Sequence, residues 1–256
     1  MNMPYKYRVS AVSYLNTIPF LYGLKKHKIN KYIYLSLDNP SVCADKLLND
    51  EVDIGLIPSA VLPLVKEGEI ISDYCIGATN RVRSVILYSN EPIDQINTIL
   101  LDYQSRTSVN LVKILADKFW KIKVNWKPAF PGYEETPLNR SEAAVVIGDR
   151  SFMMVNNYSY IFDLSAEWFS FTGLPFVFAI WTSNKQIEPE FLTMFNEALK
   201  YGVNNIPQAV KYEPESKVMD KFGLLNYLTQ NVSYPLDDLK SEGLQRFLYE
   251  LKNNKL

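Results

Sequence analysis

Two periodicities alternate along this chain. Short apolar runs rich in β-branched residues recur, and after most of them apolar residues return at every third or fourth position, as on one face of a helix. The run YRVSAV predicts a buried strand, and TIPFLYGLKK behind it predicts a helix with Pro19 in its first turn and a basic end. YIYLSLD predicts the next strand, PSVCADKLLNDE the next helix, and residues 53–57 a strand that stops at Pro58 and Ser59. That succession implies a parallel sheet with right-handed crossovers.

Beyond ISDYCIGA, the run RSVILYSN predicts a strand leaving this first lobe, and a second series begins. It comprises TILLD, the turn YQSRTS, the helix VNLVKILADKFW, the strand KVNWK, a connection rich in Pro and Gly, and AAVVIGDRSFMMV. The segment YIFDLSAEWFSFTGLPFVFAIW closes the series, its apolar tail at residues 176–181 returning as a strand to the first lobe. PEFLTMFNEALKYGV and DLKSEGLQRFLYELK predict C-terminal helices that pack back over it. Crossings near residues 88–92 and 172–176 make a hinge, and a hinge between two lobes makes a cleft. The expected fold class is α/β, with residues 1–88 and 176–256 in a discontinuous first lobe and residues 89–175 in the second. No solenoid period or low-complexity tract breaks the pattern.

Composition narrows the partner. With 256 residues and 47% apolar content the chain can bury a substantial core. A net charge of −1, from 27 basic and 28 acidic residues without long blocks of either sign, offers no footprint for nucleic acid or an anionic membrane. A small molecule is the expected partner. No run approaches the roughly 18 apolar residues of a membrane span, and the first residues lack the pattern of an export signal, so a cytoplasmic location is expected. Cys43 and Cys75 show neither CxxC spacing nor nearby histidines, which points to reduced structural thiols rather than a zinc site or a disulfide framework.

The polar residues of interest gather where strands give way to helices. Ser13, Tyr14 and Asn16 in SYLN, Pro58 and Ser59 in LIPSA, and Gly148 and Asp149 in VIGDRS all follow predicted strands, the edge at which open α/β sheets bind ligands. Each is equally readable as a helix cap, Asp149 above all. In DYQSRTSVNLVKIL, Ser105 or Thr107 can cap the helix, while Ser105, Arg106, Thr107 and Ser108 together present hydroxyls, a guanidinium and unpaired amides suited to an anion. The lone histidine, His27, lies among lysines at a helix end, which removes histidine-based nucleophile and metal designs. Neither GxGxxG nor GxxxxGK[ST] occurs, so nucleotide binding has no signature. Of the aromatic residues, Tyr14 is the one expected in the cleft, whereas Trp168, Phe169, Phe171 and Phe176 read first as core.

The blocks VSYLNTIPF, DIGLIPSA, RSVILYS, SRTSVNLVKIL, VIGDRSF and DLSAEWFSFTGLPFVFAIW, spread over roughly residues 7 to 182, resemble the menaquinone-biosynthesis chorismate dehydratase family of the futalosine route. The resemblance implies a periplasmic-binding-protein type II fold. It also implies removal of water from chorismate to give 3-[(1-carboxyvinyl)oxy]benzoate, with no cofactor and no metal. Asn16 and Asp149 are then the expected catalytic residues. Ser13, Tyr14, Pro58, Ser59, Ser84, Ser105, Arg106, Thr107, Ser108, Gly148, Gly173 and Phe176 are the expected substrate contacts. The base is either Asp149 or the substrate's own enolpyruvyl carboxylate, the second being preferred because the family is thought to work through substrate assistance. Two rivals are a non-catalytic solute-binding protein for a small carboxylate and the sister enzyme 1,4-dihydroxy-6-naphthoate synthase, for which a histidine base is expected. A DNA-binding regulator would need a helix-turn-helix, which the first 60 residues do not show. An oligomer remains open.

Overall fold

The apolar runs pair into two sheets, and the path of the chain between them positions everything else. In this computed structural model, residues 6–154, 158–214 and 216–253 are described.

The first sheet begins with β1 (Tyr7–Val12), followed by α1 (Ile18–Lys26), β2 (Ile33–Asp38), α2 (Pro40–Leu48), β3 (Ile54–Pro58) and β4 (Glu69–Ala78). β5 (Val85–Ser89), β6 (Thr98–Leu101), α3 (Thr107–Ile114), β7 (Asn125–Pro128), β8 (Glu142–Ile147), β9 (Tyr160–Asp163) and α4 (Leu164–Thr172) form the second unit. β10 (Phe176–Ser183) then rejoins the first sheet. Helices α5 (Pro189–Asn204), α6 (Ile206–Tyr212) and α7 (Lys221–Asn226), the short β11 (Ser233–Pro235) and α8 (Asp238–Asn253) complete the chain.

The sheet orders are β11-β4-β10-β3-β1-β2 and β7-β6-β8-β5-β9. In each, three parallel strands (β2-β1-β3 and β7-β6-β8) abut a strand that runs antiparallel to them and comes from a crossing: β10 in the first, β5 in the second. Both sheets are therefore mixed, where the strand-helix alternation of the first lobe implied a parallel sheet. A strand that enters from the other lobe arrives in the opposite direction, so it pairs antiparallel. For the same reason the first crossing lies at residues 79–84 rather than near 88–92: β5 already pairs with β8 and β9.

The two crossings are neighbours, because Ala78 at the end of β4 pairs with Phe176 at the start of β10. Asp163 fixes the first of them, accepting the backbone N–H of Val82 (3.3 Å) and Arg83 (2.7 Å) while capping α4 through Ser165 (3.1 Å) and Ala166 (3.3 Å). β3 is buried along its whole length, as its unbroken apolar run requires. α1 and α5 meet backbone to backbone: a Cβ on Gly23 would stand 2.0 Å from the Ala198 carbonyl oxygen, and one on Gly202 only 1.8 Å from that of Pro19. Among the described residues no helix is long and apolar enough to cross a membrane.

Candidate functional site

Where the two sheets face each other, a partly open cavity of about 50 Å³ lies at the carboxyl ends of β1, β3 and β8. The first sheet contributes Val12, Tyr14 and Asn16 beyond β1, Pro40, Pro58, Ile76, Phe178 and Ala179. The second contributes Ser105, Thr107 and Ser108 at the start of α3, with Ile147 and Gly148 at the end of β8 and Val85 at the start of β5, while Val82 and Ser84 come from the first crossing. No aspartate, glutamate, lysine, arginine or histidine stands among these lining residues. An anion here meets neutral hydroxyls, amides and helix-start N–H groups, which bind charge without a paired countercharge.

Each junction does two jobs. Ser105 accepts the Ser108 N–H at 2.9 Å, so it caps the first turn while facing the cavity. Thr107 accepts the Ala60 N–H at 3.2 Å and donates to the Phe178 carbonyl at 3.1 Å, tying α3 to the first sheet. Asn16 Oδ1 accepts from the Thr17 hydroxyl at 3.2 Å, and its side chain also meets the Tyr227 hydroxyl. The Tyr14 hydroxyl donates to Gln104 Oε1, and its ring covers Gly148 so closely that a Cβ there would stand 2.7 Å away. Burial pushes the Tyr14 phenol well above its ordinary value.

Several expected contacts lie elsewhere. Arg106 turns outward and pairs with Asp45 of α2, because the first turn of α3 points that side chain at the rim. Asp149 does not line the cavity: its Oδ1 accepts the Leu15 N–H at 3.1 Å across the two units. Burial raises its carboxyl to about 6 against that hydrogen bond. Ser59 is buried and spends its hydroxyl on the Val177 carbonyl at 2.8 Å. Ser13 is exposed, its amide bonded to the Asp38 carbonyl at 3.0 Å. Gly173 is the left-handed end of α4 (φ +73°), and Phe176 is core, packed on Trp168, Phe178 and Phe247. The residues brought together are Tyr14, Asn16, Pro58, Ser84, Ser105, Thr107, Ser108 and Gly148.

The profile of a family described as menaquinone biosynthesis matches residues 7–253. The chain belongs to this menaquinone biosynthesis family. A chorismate dehydratase of Thermus thermophilus is 25% identical over 229 aligned positions, covering 78% of this chain and 80% of the relative. Among solved structures, a protein of Archaeoglobus fulgidus superposes with a TM-score of 0.73 at 14% identity, covering 97% of both chains. A Candida albicans protein described as having the generic periplasmic binding protein fold gives 0.69 at 13% identity, over 98% of this chain and 91% of its own. The aliphatic sulphonate binding protein SsuA of Escherichia coli gives 0.61 at 13% identity, over 99% and 88%. The fold is that of the periplasmic binding proteins.

In this member of the menaquinone biosynthesis family, part of the site was invisible in the sequence. Arg150 donates to both carboxylate oxygens of buried Asp102 (3.0 and 2.7 Å) and to Gln104 Oε1 (3.2 Å), which in turn receives Tyr14. Tyr227, far along the chain, donates to Ser84 Oγ at 2.8 Å. Nothing in local spacing announces either contact, since both join residues from distant segments.

Proposed function

We propose that this chain is a chorismate dehydratase, a hydro-lyase that removes water from chorismate to give 3-[(1-carboxyvinyl)oxy]benzoate in the futalosine route to menaquinone. The family membership and the likeness to the Thermus thermophilus enzyme support the reading. The observation that carries it is the cavity between the sheets, whose polar lining consists of neutral donors with no ionisable base other than the buried Tyr14 phenol. Such a lining suits a substrate that brings its own base. The enolpyruvyl carboxylate takes the ring proton, the ring C–O bond breaks, and the hydroxyl leaves as water while the ring aromatises. Proximity then does what basicity would otherwise have to do. The elimination is redox-neutral, so it calls for no electron donor or acceptor.

In this reading Asn16 is the catalytic amide that orients the departing hydroxyl or a carboxylate, and the start of α3 with Ser105 and Ser108 holds an anionic end of the substrate. Asp149 acts between the lobes rather than as the base. The units built on the two sheets are joined through residues 79–84 and 173–175, and in this reading they part there to admit a ring carrying two carboxylates. A cytoplasmic location goes with a biosynthetic role.

Incubation of the purified chain with chorismate, followed by absorbance of the aromatic product, tests the proposal. Asn16→Ala is expected to fold normally and to lose nearly all turnover, whereas His27→Ala keeps it. Tight binding of chorismate without product would instead favour a solute-binding protein.

A further inference from the structure

Tyr227 begins the helical turn Tyr227–Asn231 that follows α7, in the C-terminal third of the chain. It is buried at 1% exposure, its ring edge-on to Phe152 at 5.0 Å, and its hydroxyl reaches Ser84 Oγ at 2.8 Å. Ser84 lies on the first crossing and lines the cavity, and its backbone carbonyl accepts the Gly148 N–H at 2.8 Å. Ser84 is thus anchored from both lobes' junctions, with one side chain, Tyr227, deciding what its hydroxyl does.

Resting on the dehydratase reading above, we infer that Tyr227 is a positioning residue that turns the Ser84 hydroxyl into a hydrogen-bond donor aimed into the cavity. A phenol is a stronger acid than an aliphatic alcohol, so between two paired hydroxyls the tyrosine donates and the serine accepts. Each hydroxyl has a single hydrogen. With the Ser84 oxygen occupied by Tyr227, its own hydrogen is committed to no acceptor among the described residues, and the space it borders is the ligand cavity. Burial keeps the phenol protonated near neutral pH, its pKa well above the ordinary value although its hydrogen bonds with the Ser84 and Asn16 side chains lower it.

The consequence lies at the leaving group. When the ring C–H bond breaks, its proton passes to the substrate's enolpyruvyl carboxylate and its electron pair enters the ring. The C–O bond then breaks with its electrons on oxygen, and the carboxylate's proton completes the departing water. Ser84 supplies a hydrogen bond to that oxygen as charge develops there and is unchanged afterwards.

The test is a cycle of Tyr227→Phe, Ser84→Ala and the double variant, each assayed for kcat and KM with chorismate. Phenylalanine preserves the ring and its contact with Phe152 and removes one oxygen. Tyr227→Phe is expected to lower kcat by about 10- to 100-fold with KM changed by less than about threefold, because the lost interaction belongs to the transition state. Tyr227 also meets the Asn16 side chain, so the cycle separates the two partners: a role exerted through the serine leaves the double variant no slower than Ser84→Ala. A Tyr227→Phe enzyme with wild-type kcat, or losses that multiply in the double variant, overturns the inference while the wild-type control still turns over. A wild type that does not convert chorismate fails the dehydratase reading itself, and this inference with it.

Discussion

Gly148 is where one atom decides whether the lobes can meet. Its φ of +65° is a left-handed conformation that glycine adopts freely, and the Tyr14 ring fills the space where a side chain would begin. Gly148→Ala is therefore expected to strain the backbone and to push Tyr14 off its seat. kcat/KM should fall by at least about tenfold while far-ultraviolet circular dichroism stays that of the wild type; unchanged kinetics would refute the closure argument. Asp149, next along the chain, makes a prediction about pH. Its carboxyl is raised from 3.8 to about 6, so burial penalises the charged form. That penalty is absent below about 3.8, grows as pH rises, and is complete above about 6. Asp149→Asn, which never carries the charge, should gain melting temperature relative to wild type between pH 4 and about 6.5 and then hold a constant difference. A difference independent of pH would count against it. Asp53 has the opposite sign: burial opposes its charge, but hydrogen bonds from Arg8 and Lys185 prevail and hold it at about 2, so its contribution is lost as pH falls below 3.8.

At the level of elements, the contact between α1 and α5 depends on Gly23 and Gly202. Any side chain at Gly202 meets the Pro19 carbonyl, which is backbone and cannot step aside. Gly202→Ala should cost about 3 kcal/mol in urea denaturation, and a loss under about 0.5 kcal/mol would show the helices free to slide. How much of such structure the sequence disclosed depended on locality. β1 and β3 were legible because apolar runs between turn signals declare burial on both faces, and the strand-to-helix junctions were legible because their polar residues stand at predictable sheet edges. The membership of β5 was not: VILYS declares a buried strand but not which sheet it joins, and that is settled by pairing with β8 and β9. Likewise the composition of SRTS suits an anion or a plain helix cap, and only the tertiary position of Asp45 shows where Arg106 points. Gln104, Arg150 and Tyr227 depend on partners 46 to 143 positions away, which no local pattern carries.

On the scale of the whole molecule, the polar contacts between the two units include Leu15 to Asp149, Tyr14 to Gln104, Thr107 to Ala60 and Phe178, and Asp45 to Arg106, beside apolar packing such as Trp168 on Phe247. The ion pair is the weakest of these in energetic terms, because both partners are more than a third exposed, and such pairs are worth about 0–1 kcal/mol. Arg106→Ala is therefore expected to keep kcat and KM within about threefold of wild type in physiological salt. A hundredfold rise in KM would instead return Arg106 to the role of ligand anchor.

The pairing of Ala78 with Phe176 gives the molecule an unequal architecture. Everything between those two positions is a guest inserted into a host that retains all six strands of its own sheet. Since the two entry points are a single strand spacing apart, a tight reverse turn joining them would convert β4 and β10 into an ordinary hairpin. The host thus carries the scaffold complete, and the guest can be exchanged, lengthened or removed without cutting any of the strands that hold the host together.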